Sequence, residues 1–153
     1  MRSLGWRNEM REIVLGSGVK RAGLLALLVA ASGLVAPAAQ AATGSVTATC
    51  TAGAFSGKFT LTYDIAAEYR LRNGRGAAGP YIADTGAMHV QVHHRVGTSQ
   101  STLLSKSRTG LRSDQVGEVS VNGTKVPSSG RAWVEVKFAD SSGAKCTAEK
   151  DLR

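Results

Sequence analysis

Three histidines fall within six positions, His89, His93 and His94, and their type invites chemistry before any other group in the chain. Imidazole can ligate a metal or move a proton near neutral pH. The segment holding them, Ala87–Val96, alternates Met88, Val90 and Val92 with His89, Gln91 and His93, the period-two pattern of a strand. On a strand His89 and His93 share a face but stand about 13 Å apart, too far to share one ion. His93 and His94 point to opposite faces. No second cluster at ligand spacing joins them, so neither a metal site nor a cofactor is predicted. The pattern predicts two histidines on a polar sheet face and one, His94, at the core margin.

Catalysis by other means is no better supported. No G-x-S-x-G elbow occurs. Asp84 and the histidines could form a Ser-His-Asp arrangement only if the fold brought them together. Asp64, Glu68, Asp114, Glu118, Glu135 and Asp140 each adjoin basic or polar neighbours, as on solvated faces. No catalytic residue is assigned.

The second chemical pair is Cys50 and Cys146, the only cysteines. They are not in C-x-x-C spacing, and no helix start lies nearby to lower a thiol pKa. A structural disulfide is predicted, provided that the chain reaches an oxidising compartment. The first 41 residues supply that condition. Lys20-Arg21 precedes the small and apolar run Ala22–Val35, and Ala39-Gln40-Ala41 makes an A-x-A site. This is the layout of a secretory signal peptide, cleaved after Ala41, with Met10 as an alternative start. The run is too short to span a bilayer and is interrupted by Gly33 and Pro37, so no membrane span is expected after cleavage. Its Ala- and Gly-rich style suggests a bacterial, extracellular protein.

Residues 42–153 are then a single secreted domain. Five of the 19 basic and two of the 11 acidic residues fall in the leader, leaving 14 and 9 and a net charge of +5. Three of these cations, Lys106, Arg108 and Arg112, lie in Gly97–Gln115, a polar Ser/Thr-rich stretch that reads as a long loop or as a loop carrying one short irregular strand around Leu103. With Arg95 at its root, such a loop suits an anionic polymer or an acidic protein patch. No aromatic stacking motif accompanies the charge, so nucleic acid is not the expected partner. Asn73–Gly86, rich in glycine and holding Arg75, also reads as a loop, but it lacks the spacing of a phosphate cradle.

The elements that must position these residues are short strands. Ser45–Thr51 places Val46, Ala48 and Cys50 on one face and threonines on the other. Lys58–Ala66 buries Phe59, Leu61, Tyr63 and Ile65, and Glu68–Arg72 reads as its continuation in the same phase. Asn122-Gly123 signals a hairpin between Val119–Val121 and Thr124–Val126. Asn122-Gly123-Thr124 also matches a glycosylation sequon, read here as the turn alone. Arg131–Phe138 and Lys145–Lys150 form a closing hairpin around Asp140–Gly143. Trp133 shares the phase of Glu135 and Lys137, so it is expected to be exposed or half-covered and available for contact. About seven strands without helical periodicity predict an all-β, antiparallel sandwich, immunoglobulin-like, or a small barrel, with one disulfide.

The function this implies is a secreted binding or interaction module, cell-envelope associated, for an extracellular macromolecule of unknown identity. Two alternatives share the fold. One is a protease inhibitor presenting Lys106–Arg112, and the other a small hydrolase using a histidine. Composition and spacing name no reaction.

Overall fold

The computed structural model describes residues 41–81, 85–113 and 115–152. The leader as far as Gln40, and Asp84 and Asp114, lie outside them. Three strands, β1 (Ala42–Ala52), β2 (Phe55–Ile65) and β3 (Glu68–Gly79), run as an antiparallel meander. Along β1 and most of β2 the alternation acts as expected, but it fails at the end of β2, where Asp64, expected outside, is buried and Ile65, expected inside, is only half-buried. Phe59, Leu61 and Tyr63 are buried, while Thr47 on β1 meets Thr60 on β2 across the wet face at 3.1 Å.

Two expectations fail in β3. Glu68–Arg72 does not extend β2. The chain reverses at Ala66-Ala67, and Ile65 pairs with Tyr69. Periodicity cannot tell these cases apart, because a tight reversal keeps Tyr69 and Leu71 on the core side. Asn73–Gly79 is strand rather than loop. Its glycines are there for close approach: a Cβ at Gly74 would lie 2.8 Å from the Phe59 ring and one at Gly76 2.5 Å from the Met88 sulfur. Both large side chains press on bare backbone. Where Thr62 and Tyr63 face Asn73 and Leu71, Arg72 is the extra residue of a bulge. Its guanidinium turns back to Asp64, donating from Nε at 2.7 Å and pairing through Nη2 at 2.6 Å. That hydrogen bond, and then the carboxylate's charge, raise the Arg72 pKa above its already high ordinary value.

The second sheet holds β4 (Gly86–Val96), β5 (Ser99–Leu111), β8 (Arg131–Asp140) and β9 (Lys145–Asp151), in the order β5-β4-β8-β9. The short strands β6 (Gly117–Val119) and β7 (Lys125–Pro127) return to the first sheet, where both pair with β3. Asn122-Gly123 is a turn, with Gly123 at φ 83° and Thr124 N–H donating to Val121 O at 3.2 Å. It does not fold β6 onto β7. Instead it is an excursion within one interrupted edge strand, anchored by buried Val121 and by Leu71 N–H donating to Thr124 O.

The two antiparallel sheets form a β-sandwich, with Met88, Val90, Val92, Val134, Val136 and Phe138 of the second facing Phe59, Leu61 and Leu71 of the first. The expected immunoglobulin-like arrangement is not the one formed, because the β1-β2-β3 meander differs from the immunoglobulin strand order. On one side of the sandwich β1 packs along β9, and Cys50 is bonded to Cys146 with Cα atoms 5.8 Å apart. On the other side β5 approaches β6 at its end, where Leu111 fills the space beside Gly117.

Candidate functional site

The segment read as a loop, Gly97–Gln115, is mostly the thirteen-residue strand β5. It pairs with β4 from Val96↔Ser99 to Gly86↔Leu111, with two of its residues left unmatched. Two register shifts hide it from a period-two reading. Leu103 is extra where Val92 faces Leu104 and His93 faces Thr102, and Gly110, at φ 69°, is extra where Gly86 faces Leu111. Only Leu104 and Leu111 of this strand are buried. A signal was nevertheless present: Gly97-Thr98, with Gly97 at φ 57°, is a two-residue connection with glycine first, a favoured hairpin type.

The register decides where the basic residues point. Lys106 faces Val90 and Arg108 faces Met88, so both share the core-side face of their sheet with Leu104. They are nevertheless exposed, because β5 is the edge strand and stands beyond the cover of the opposite sheet. Inward-phase charge on an edge strand is one means by which sheets resist unwanted pairing. Arg112 follows the strand and is exposed. Among the described residues none of the three has an ion-pair partner. No acidic residue occurs from position 97 to 113. Arg95 does not join them. It faces Gln100 and Arg131 on the outer face, about 17 Å along the strand from Lys106.

Trp133 has the predicted phase but not the predicted exposure, since only 6% of its surface is accessible. His93, directly across from it on β4, stacks on the indole at 5.1 Å, and the Arg131 guanidinium lies 4.8 Å from the ring centroid. Asp151 holds that arginine through Nε and Nη2, both at 2.9 Å. The indole is thus covered by its cross-strand and same-strand neighbours, and its ring is not an open contact face.

The histidines divide as well. His89 Nε2 is 2.9 Å from Ser105 Oγ on the outer face. His93 is buried beneath Trp133, with Nδ1 3.0 Å from Thr102 Oγ1 and Nε2 3.8 Å from Glu135. His94, on the core-side phase, meets the Ser129 carbonyl at the sandwich margin. Among the described residues no three His, Cys, Asp or Glu side chains gather closely enough to hold a metal ion. A groove of about 460 Å³ lies on the disulfide-linked side, lined by Ser45, Val46, Arg131, Glu149, Lys150 and Asp151. Its arginine is already tied to Asp151.

What the arrangement offers chemically is an open strand edge carrying unneutralised positive charge. Comparison with models of known protein families gives no match for this chain, and comparison with curated proteins gives none either.

Proposed function

We propose that residues 42–153 are a secreted binding module whose β5 edge meets an anionic macromolecular partner outside the cell. The observation that carries this reading is the exposed, acid-free strand with Lys106, Arg108 and the adjoining Arg112 unpaired among the described residues. The leader-like first 41 residues and the disulfide support export to an oxidising compartment. A protease-inhibitor role is disfavoured, because Lys106 and Arg108 sit within a paired strand rather than on a projecting loop.

The test is binding of the purified protein to two polyanions, polyphosphate and poly-L-glutamate, at low and high salt. The expected result is salt-sensitive retention that drops in a Lys106→Ser/Arg108→Ser/Arg112→Ser variant. Equal retention of the two proteins, or none by wild type at low salt, overturns the assignment.

A further inference from the structure

We infer that the β5 edge takes its partner by strand addition, and that the partner is an extended acidic peptide segment. The inference rests on the reading of β5 as the binding edge and specifies what fits there. β5 is hydrogen-bonded to β4 on one side only, and among the described residues no strand pairs with its other side. In an antiparallel ladder every second residue of an edge strand turns its N–H and C=O outward, which is the template used in peptide augmentation. Between the extra residues Leu103 and Gly110 lies an uninterrupted stretch, Leu104–Thr109, about 20 Å long. A peptide strand of that length pairs there without meeting a bulge.

The side chains select the occupant. Lys106 and Arg108 are two residues apart on one face, while Ser105, Ser107 and Thr109 lie on the other. A strand with carboxylates at alternate positions brings them opposite both cations at once, whereas like charges placed opposite each other repel. A second copy of β5 is therefore a poor occupant, because the strand holds no acid to offer in any register. A flat apolar strand is poor too, since the exposed stretch presents mainly hydroxyl and cationic side chains. The other side of the sandwich does not compete. There β1 and β9 pack together and are crosslinked through Cys50 and Cys146.

The test uses a ten-residue peptide alternating Glu and Val, and two versions of it N-methylated at odd or at even positions. Binding is read by fluorescence anisotropy. Strand addition through one peptide edge predicts that one methylation parity weakens binding more than about thirtyfold while the other changes it only a few-fold. Lys106→Ser/Arg108→Ser should weaken the parent peptide about tenfold. If both methylated peptides bind like the parent, attraction is by charge alone and strand addition is wrong, although the anionic-partner reading stands. Retention of the polyanions without any binding of the parent peptide likewise overturns strand addition and leaves the anionic-partner reading intact. If neither the peptide nor the polyanions bind, both readings fail. An unchanged affinity in the double variant removes Lys106 and Arg108 from the site and overturns the inference.

Discussion

The two sides of this sandwich solve the edge problem in opposite ways. On one side β1 and β9 lie against each other, and a covalent bond joins strands 96 positions apart in the chain. On the other, no strand among the described residues pairs with the outer edge of β5, and its exposed side chains are mainly charged or hydroxyl-bearing. The linked side devotes its chemistry to stability, since closing so long a loop removes entropy from the unfolded chain. The free side contributes little burial beyond Leu104 and Leu111 and keeps its backbone available. A strand edge can be covered or left open, and the two sides of this sandwich show one of each.

The largest expected effect comes from unlocking the first side. Cys50→Ala/Cys146→Ala should lower unfolding free energy by about 2–5 kcal/mol, measured by denaturant melts. A loss below about 1 kcal/mol would show that the packing of β1 on β9 holds that side without the bond.

Next is Gly57, which faces Cys50 across β1 and β2. A Cβ there would sit 2.3 Å from the Phe138 ring, and the rigid aromatic has nowhere flexible to go. Gly57→Ala should therefore cost about 1–3 kcal/mol. Little change would mean that the ring beside the disulfide repacks easily.

Between the two sides, Tyr81 stands at the crossover from β3 to β4, against Phe55 at 5.5 Å, with its backbone N–H donating to Ser113 Oγ just beyond β5. Its hydroxyl is buried without a hydrogen-bond partner among the described residues. Tyr81→Phe should thus change stability at neutral pH by no more than about 1 kcal/mol, in the stabilising direction. Burial, and then the charge of Asp140, raise the Tyr81 pKa. The unfolded chain releases this proton near the ordinary tyrosine pKa of about 10, while the folded state still holds it. The contribution is fully present below that pH and is lost as pH rises toward the raised folded value. Tyr81→Phe should flatten this part of the alkaline stability curve, and an identical curve would remove Tyr81 as its source.

The smallest expected change concerns the free side. Lys106→Ser/Arg108→Ser removes two exposed side chains without ion-pair partners among the described residues, so melts should move by less than about 0.5 kcal/mol. A larger loss would mean that these cations hold β5 in place, and the contrast between the two sides would weaken.

Most strands were legible because one face of each is buried. Phe59, Leu61 and Tyr63, or Val134, Val136 and Phe138, alternate with polar residues for that reason. The disulfide followed from there being only two cysteines, and the turns at Gly123 and Gly143 coincide with positive φ. β5 was illegible on the same principle. Both its faces are largely wet, and the extra residues Leu103 and Gly110 break what alternation remains.

Residue order along the chain therefore determined an all-β protein with its buried faces, its crosslink and its acid-free basic stretch. Tertiary structure alone decided that this stretch is an edge strand, that Lys106 and Arg108 share one face while Arg95 lies far off on the other, and that Trp133 is covered. The division has a physical cause. Alternation records whether a strand's own faces are buried, which is a local property. Register, edge position and cover from a facing strand depend on partners distant in the chain, such as His93 for Trp133 and Val90 for Lys106.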